Sequence, residues 1–267
     1  MQFPLIDVII PCYNAASTLE RALKSVLNQP HLGTLWLVDD GSSDNTLTLA
    51  QQWAARYPAK ICLEAMPHNS GVAKARNWGA LQSRAEFIAF LDADDAYEAD
   101  ALTVASSVFH FRPDVSVVRL ALKPVGIAER YANHPNFEFA WQHMRMTCGG
   151  NVVFRRAFFL ACGGFPQDQL FREFGGEDGA LGIATTQVAT VATLFEEAGV
   201  LHYCREGMHA ERLLDAILFH QQAPNVTPEK IAQAQGVTDE ICRQINALKC
   251  GLNSASLGVQ PLVLERE

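Results

Sequence analysis

Short apolar runs alternate with helical patterns over roughly the first 120 residues of the chain. Four runs are apolar at nearly every position: Ile6–Ile10, Leu35–Val38, Ile61–Leu63 and Phe87–Leu91. Between the first two runs, Leu19, Leu23 and Val26 recur at the three- and four-residue spacing of an amphipathic helix. Continuous apolar strands that alternate with helices predict a mostly parallel sheet with crossover helices.

The pattern is weaker after residue 120. Residues 123–146 show little periodicity and are interpreted as a variable connection. Further strands are predicted at 151–154 and 200–204, and further helices at 99–111, 156–161 and 210–222. The stretch that begins at Glu177 predicts a single helix that reaches Ala198, where Gly199 ends it. The fold class is therefore α/β.

A tail with its own helix start follows Gln222. Thr227 is placed as the N-cap and Pro228 as the first helical residue. Apolar residues at helical spacing predict one or two amphipathic helices, broken near Gly236, with these positions on one face: Ile231, Ala234, Ile241, Ile245 and Leu248. Membrane-binding helices usually carry a basic polar face, whereas the charges here balance. We expect this tail to pack against protein, within the chain or across a homodimer.

Composition and charge exclude several classes of protein. The 267 residues are 49% hydrophobic and 19% charged, which is typical of a folded globular chain. With 21 basic against 29 acidic residues the net charge is −8, which disfavours a nucleic-acid partner. No apolar stretch approaches the ~20 residues of a transmembrane helix. The N-terminus lacks the basic segment of a signal peptide.

Seven cysteines are widely spaced and form no Cys-x-x-Cys pair. This pattern argues against a zinc site or a disulfide framework and favours a reducing compartment. The expected location is the cytoplasm, free or peripheral at the inner face of the membrane.

Polar clusters follow three of the predicted strands directly. They are Pro11-Cys12-Tyr13-Asn14, Asp39-Asp40-Gly41-Ser42 and Asp92-Ala93-Asp94-Asp95. Each cluster alone is typical of a solvated turn. In an open parallel sheet, however, ligands bind at the carboxyl ends of the strands. Three such clusters on strand ends therefore favour a binding site at this end of the sheet.

The Asp92-x-Asp94 triplet predicts a divalent cation at that site. Mg²⁺ and Mn²⁺ take oxygen ligands, commonly one or two carboxylates together with substrate phosphates. Gly71 opens a helix whose first backbone N–H groups could face an anion. The sequence has no GxGxxG, P-loop, HExxH or GxSxG pattern, which argues against dinucleotide enzymes, NTPases, zinc proteases and esterases.

The order and spacing of these segments closely resemble the family-2 glycosyltransferases. The segments that carry the resemblance are VIIPCYNAASTLERALKSVLNQ, LWLVDDGSSDNT, NSGVAKARNWGAL, FIAFLDADDAYEADAL, GGNVVFRRAFFLACGGF and GGEDGAL. Together they extend from about Ile6 to Leu213, so the tail after Gln222 lies outside the resemblance. The Gln-x-x-Arg-Trp motif of processive synthases is missing after Asp178, which favours a single transfer.

The resemblance implies a GT-A fold that binds a nucleotide-diphosphate sugar. Pro11, Tyr13 and Asn14 are similar to the turn that holds the base, with Tyr13 beside it. Asp40 is similar to the carboxylate that accepts a hydrogen bond from the base, with Asp39 next to it.

The resemblance also assigns the diphosphate and acceptor sides of the site. Arg76 is similar to an arginine that faces the nucleotide, Asp92 to a ribose contact and Asp94 to a metal ligand. Asp178 is similar to the general base of this inverting family. A histidine often completes the metal shell; His202 and His209 both remain open, and the loop position favours His209.

The sequence thus predicts a metal-dependent, inverting glycosyltransferase. It would use Mn²⁺ or Mg²⁺ to move one sugar, most readily from UDP, to a saccharide or lipid-linked hydroxyl, as in polysaccharide biosynthesis. Residues 1–222 would form the GT-A domain, with a nucleotide half up to about residue 120 and an acceptor half from 121, and residues 223–267 a helical extension. The alternatives are a catalytically silent nucleotide-sugar-binding protein and a sugar nucleotidyltransferase.

Overall fold

A computed structural model describes residues 3–224, 226–249 and 258–261, without the side chains of Phe174, His209 and residues 258–261. The strands are β1 (Ile6–Cys12), β2 (Leu32–Asp39), β3 (Ile61–Ala65), β4 (Phe87–Phe90), β5 (Ala96–Tyr97), β6 (Val115–Leu120), β7 (Leu122–Val125), β8 (Val152–Arg155), β9 (Thr190–Leu194), β10 (Val200–Tyr203) and β11 (Gly258–Pro261). The helices are α1 (Leu19–Leu27), α2 (Thr46–Arg56), α3 (Val72–Gln82), α4 (Ala101–Phe111), α5 (Glu129–Ala132), α6 (Phe137–Thr147), α7 (Arg156–Ala161), α8 (Gln169–Phe174), α9 (Glu177–Val188), α10 (His209–Phe219) and α11 (Pro228–Lys249).

The main sheet has eight strands in the order β11-β9-β6-β8-β4-β1-β2-β3. Every neighbouring pair is parallel except the two that involve β8, which runs antiparallel to β4 and to β6. Three short strands form a second sheet in the order β5-β10-β7. A mixed, mostly parallel sheet flanked by helices confirms the predicted fold class.

Both faces of the main sheet are covered, which explains the continuous apolar runs in the sequence. All seven residues of β1 are buried. Val8 and Ile10 belong to the core on one face, together with Leu23 of α1. Ile9 points to the opposite face, into a core that includes Phe90. This sandwich fixes the register that brings the strand ends together.

The ends of β1, β2 and β4 lie side by side. Cys12 of β1 is opposite Asp39 of β2, and Ile9 of β1 is opposite Phe90 of β4. The three polar clusters that follow these strands therefore meet at one end of the sheet, as the sequence predicts.

The predicted helix from Glu177 to Ala198 is wrong in its second half. Helix α9 ends at Val188, and Thr190–Leu194 forms β9, whose five residues are all buried. Its Thr and Val side chains are β-branched and suit a strand between two neighbours. Residues 123–146, interpreted as a variable connection, in fact contain α5, α6 and the end of β7.

Residues 228–249 of the tail form one continuous helix, α11, so the predicted break near Gly236 is wrong. An added Cβ at Gly236 would meet open space, and glycine inside a helix costs only about 1 kcal/mol. The packing of Ile241 and Ile245 into the core formed with α9 offsets that cost. The backbone N–H of Lys230 donates to the Thr227 hydroxyl oxygen at 3.4 Å, in agreement with the predicted N-cap.

The expectation that the tail packs against protein is confirmed within the chain, where α11 lies along α9. The tail is not purely helical, because β11 joins the main sheet next to β9. No helix among the described residues is long and apolar enough to cross a membrane. The six cysteines that the structure describes are free thiols.

Candidate active site

The turn after β1 is locked to the turn after β2 by Asn14. Its backbone adopts a left-handed conformation (φ 48°), which asparagine tolerates better than most residues. The side-chain oxygen of Asn14 accepts hydrogen bonds from the N–H groups of Ser43 (2.9 Å) and Asp44 (3.3 Å). Pro11 is buried, whereas the side chain of Tyr13 is half exposed beside these turns. Asn14 thus holds the two turns together, and the side chain of Tyr13 is exposed beside it.

Asp39 and Asp40 are both buried, but their hydrogen bonds differ. The carboxylate of Asp40 accepts from the backbone N–H groups of Ser70 (2.7 Å) and Gly71 (2.8 Å) and from the side-chain amide of Asn69 (3.1 Å). Asp39 accepts from the N–H of Ser42 at 3.2 Å through Oδ2. Its Oδ1 has no hydrogen-bond partner among the described residues. A buried acceptor without a partner is costly, and it marks a place where a ligand could donate.

Arg76 joins the end of β4 to the start of α9. Its side chain is 4% exposed and lies 2.6 Å from a carboxylate oxygen of Asp92 and 3.5 Å from one of Glu177. Burial lowers the pKa of Arg76, but the charges of Asp92, Glu177 and Asp178 outweigh it, so the pKa lies above its ordinary value. Gly150 packs against the carboxylate of Asp92, because an added Cβ at position 150 would lie 2.9 Å from its Oδ2. One buried cation therefore gathers three acidic side chains in a single cleft.

Asp94 is held by two arginines from other elements. Its carboxylate lies 3.0 Å from the guanidinium of Arg205, in the loop after β10. Its backbone carbonyl accepts from Arg21 of α1, whose guanidinium also lies over the ring of Tyr203. Burial, followed by the negative charge of Asp92, raises the pKa of Asp94. In this state of the chain Arg205 supplies the positive charge beside Asp94.

The third aspartate of the cluster, Asp95, is fully buried and orients His202. Its two oxygens meet Nδ1 of His202 at 2.8 Å and the N–H of Tyr203 at 3.0 Å. Burial lowers the pKa of His202, but the hydrogen bond and charge of Asp95 raise it above the ordinary value. Nε2 of His202 is buried without a partner among the described residues. His209 is the first residue of α10, and its side chain lies outside the described residues.

Oxygen donors for a divalent cation are present at the end of β4. The charges of Asp92 and Asp94 both act on His202, so these groups share one region. A carboxylate behind an imidazole, as Asp95 stands behind His202, is the usual arrangement for a metal-binding histidine. Within residues 3–224 and 226–249, no three His, Cys, Asp or Glu side chains are already close enough to enclose an ion. These oxygen and imidazole donors are of the type that a hard divalent cation takes, although Arg205 is paired with Asp94 here.

Asp178 lies in the first turn of α9. Its Oδ2 accepts from the backbone N–H of Gly149 at 3.1 Å, and its Oδ1 accepts from the N–H of Gly179 at 2.8 Å. The neighbouring Glu177 is buried, and burial together with the charge of Asp178 raises the pKa of Glu177 to about 7. Asp178 is only partly buried, so it is the carboxylate of this pair that is open to solvent and to a ligand.

The structure brings part of the expected set together. Arg76 interacts with both Asp92 and Asp178, and Asp40 holds the Asn69–Gly71 loop that starts α3. Sequence reasoning assigned no role to Arg205, Glu177 or Asp95. The signal for Asp95 was visible in its position within the cluster after β4, whereas the approach of Arg205 depends on a loop more than 100 residues away.

Comparisons with known proteins agree with this geometry. The family model described as Glycosyl transferase family 2 matches residues 7–165. The minor teichoic acid biosynthesis protein GgaA of Bacillus subtilis (strain 168) is 38% identical over an alignment of 128 residues that covers 45% of this chain. The matched stretch spans only 28% of GgaA, so this chain corresponds to part of that protein.

Two solved structures share the fold. Residues 1–349 of S. aureus TarS in complex with UDP match 93% of this chain and 72% of that chain, with a TM-score of 0.59 and 19% identity. The mannosyltransferase PcManGT from Pyrobaculum calidifontis, in complex with GDP-Man and Mn²⁺, matches 96% of this chain and 77% of that chain, with a TM-score of 0.59 and 20% identity.

Proposed function

This chain belongs to glycosyl transferase family 2, and on that premise we propose that it transfers a single sugar from a nucleotide diphosphate to a hydroxyl group of a saccharide or lipid-linked acceptor, with inversion. The observation that carries the proposal is the Arg76 bridge, which holds Asp92 at the donor side and the start of α9 at the acceptor side in one cleft. The complexes of TarS with UDP and of PcManGT with GDP-Man support a nucleotide sugar as the donor. The similarity to GgaA, a minor teichoic acid biosynthesis protein, supports a role in the synthesis of a polymer of that type.

We assign the base of the donor to Asp39 together with Tyr13. Oδ1 of Asp39 is buried and lacks a partner among the described residues, so it would accept the ring N–H of uracil or guanine. The exposed ring of Tyr13 would lie against the base. Asp40, the carboxylate that the sequence resemblance favours, already accepts three hydrogen bonds from its own chain. We therefore assign Asp40 to the loop and Asp39 to the nucleotide.

Asp94 would hold a divalent cation, with a histidine as a further ligand. A bound cation neutralises the charge that develops on the departing diphosphate. Arg205 would leave Asp94 when the cation enters, and its guanidinium would then be free to face the phosphates. His202 is oriented by Asp95 and offers Nε2, which makes it the better supported histidine among the described side chains.

Asp178 would act as the general base. A sugar hydroxyl is a poor nucleophile, and a positioned carboxylate removes its proton as the new bond forms. The N–H of Gly149 holds one oxygen of Asp178 in place without removing its ability to accept a proton. Attack from the side opposite the diphosphate inverts the anomeric carbon.

The base assignment is tested with Asp178→Asn. The amide keeps the shape of the side chain but does not accept the proton, so transfer should fall by about 10²–10⁴-fold while nucleotide affinity stays near wild type. Asp168→Asn is the matched control, since Asp168 is exposed at the start of α8 and makes no capping hydrogen bond there. Full transfer by Asp178→Asn, measured with UDP- and GDP-sugars, would place the base elsewhere.

The cation assignment is tested by titration calorimetry with UDP and GDP, with Mn²⁺ or with EDTA. Binding by the wild type should weaken with EDTA, because the diphosphate then faces Asp92 and Asp94 without a neutralising charge. Asp94→Asn should remove most of this sensitivity. Equal affinity of the wild type with and without the cation would contradict the assignment.

A further inference from the structure

A buried arginine lies beneath the start of α9. Arg119 is near the end of β6, opposite Val152 of β8 and Thr193 of β9, and its side chain is 2% exposed. It takes part in no salt bridge within the described residues. Burial lowers the pKa of Arg119 to about 10, against the opposing effects of Cys148 and Asp178, so the guanidinium is charged at neutral pH. A buried charge destabilises the fold unless hydrogen bonds or an opposite charge compensate for its lost hydration.

The guanidinium of Arg119 holds both ends of the turn between α6 and β8. Its Nη1 donates to the backbone carbonyl of Cys148 at 2.6 Å and to the side-chain oxygen of Asn151 at 3.3 Å. The side-chain amide of Asn151 in turn donates to the carbonyls of Leu120 (2.8 Å) and Arg145 (3.0 Å). Three of these hydrogen bonds fix residues 148–151 to the end of β6, and the fourth ties Asn151 to α6.

That turn meets the proposed reaction centre on two sides. The N–H of Gly149 donates to Oδ2 of Asp178, and Gly150 packs against Oδ2 of Asp92. Gly182 lies one helical turn after Asp178 and leaves room for the guanidinium of Arg119. An added Cβ at position 182 would lie 2.9 Å from Nη2 of Arg119. Arg119 therefore reaches Asp178 through a single peptide group, the one that joins the carbonyl of Cys148 to the N–H of Gly149.

We propose that Arg119 is a positioning residue for the transfer reaction. By holding the carbonyl of Cys148, it directs the N–H of Gly149 at Asp178 and so fixes the orientation of that carboxylate toward the acceptor. This proposal rests on the proposed function, in which Asp178 is the base. A displacement of about 1 Å at a reacting group is enough to lower a rate by about 10²-fold, so a purely indirect contact of this kind has a measurable effect.

The test is a double-mutant cycle between Arg119 and Asp178, read as kcat and KM for transfer and as Kd for UDP. Arg119→Lys keeps the charge, but its side chain is one bond shorter, so its nitrogen does not reach the position from which Nη1 donates to both oxygens. It should lower kcat by about tenfold or more, with acceptor KM and UDP Kd within about twofold of wild type. In the Asp178→Asn background the same substitution should change the residual rate by less than about twofold, because residues that act as a unit are not additive.

Arg155→Lys is the matched control. Arg155 lies on β8, and its guanidinium donates to the carbonyl of Val115 at the opposite end of β6. We expect kcat to stay near wild type in both backgrounds. A second variant, the uncharged Arg119→Met, tests the loss of the charge in addition. It is used only if its thermal unfolding remains cooperative, and Arg119→Lys provides the test in either case.

The outcomes separate this inference from the proposed function. Equal fold-losses for Arg119→Lys in the wild-type and Asp178→Asn backgrounds, or an unchanged kcat, would overturn the positioning role while leaving the base assignment intact. Full transfer by Asp178→Asn alone would overturn both.

Discussion

Asp39 and Asp40 show how two adjacent carboxylates come to have different tasks. Asp40 lies where three N–H donors of the Asn69–Gly71 segment converge, so its negative charge is balanced by its own chain. Asp39 receives one N–H and keeps an unpaired buried oxygen within the described part of the molecule. Hydrogen bonds to charged groups are among the stronger ones in proteins, whereas an unpaired buried acceptor is a cost to the fold.

We therefore expect opposite behaviour from the two asparagine variants. Asp40→Asn replaces an acceptor with an NH₂ group that faces backbone donors, so the free energy of unfolding should fall by about 1–3 kcal/mol. Asp39→Asn should leave that free energy unchanged or raise it, but weaken UDP binding. Urea unfolding and titration calorimetry measure the two effects. Loss of UDP binding by Asp40→Asn at unchanged stability would reverse the assignments.

Glu177 gives the fold a pH dependence of its own. Burial raises its pKa in the folded chain to about 7, above the ordinary 4.5, so the folded state binds this proton more tightly than the unfolded state. The corresponding stabilisation is complete below about pH 4.5 and is lost as the pH rises toward 7. Glu177→Gln stays neutral at every pH. The Tm of Glu177→Gln minus the Tm of the wild type, measured by calorimetry, should therefore increase as the pH is raised from about 4.5 to 7.

The control for this prediction is Glu20→Gln, because Glu20 is exposed on α1 in a surface pair with Lys24. Its Tm difference from wild type should be flat over the same range. Parallel Tm curves for Glu177→Gln and wild type would show that burial does not control the protonation of Glu177.

Among the secondary-structure elements, the pair α9 and α11 is the one that connects the tail to the proposed chemistry. Helix α9 carries Glu177 and Asp178 at its start and buries Leu181 and Ala184 further along. Ile241 and Ile245 of α11 close the same core, and Thr238 is buried beside them. The tail therefore supports the helix from which the proposed base projects.

Shortening Ile241 and Ile245 to alanine should destabilise the protein by about 2–5 kcal/mol each, because each leaves a cavity against α9. Ile231→Ala on the same helix is the control, since Ile231 is 46% exposed and its truncation should change stability by less than about 0.5 kcal/mol. Equilibrium unfolding in urea measures all three. Equal effects at positions 231 and 245 would contradict the packing of α11 on α9.

The elements that sequence reasoning missed are those whose stability comes from distant neighbours. Thr190–Leu194 follows a helix without a glycine or proline stop, and only its place between β6 and β11 makes it a strand. Helix α6 lies in a stretch with little visible periodicity, although Trp141 and Met144 are buried in the core. By contrast, β1, β2 and β4 were predictable because strands buried on both faces are apolar throughout.

At the scale of the whole molecule, the position of the cleft was predictable and its internal pairing was not. Parallel strands gather their carboxyl ends, so clusters that follow β1, β2 and β4 had to meet. Which carboxylate meets which cation depends on side chains that approach from α3, α9 and the loop after β10. Arg76, Arg119 and Arg205 each pair with groups far away in the sequence, and no local pattern encodes those distances.

The strand β11 determines what happens to the edge of the main sheet when a protease cleaves the chain. It runs parallel to β9 and covers the backbone N–H and C=O groups along that side of the main sheet. β9 is apolar or β-branched at every position, the kind of strand that pairs with other chains once uncovered. Proteolytic cleavage between α10 and α11, followed by loss of α11 and β11, would uncover β9. We expect a molecule that has lost these two elements to self-associate through β9 while β1, β2 and β3, toward the opposite edge of the sheet, are still folded.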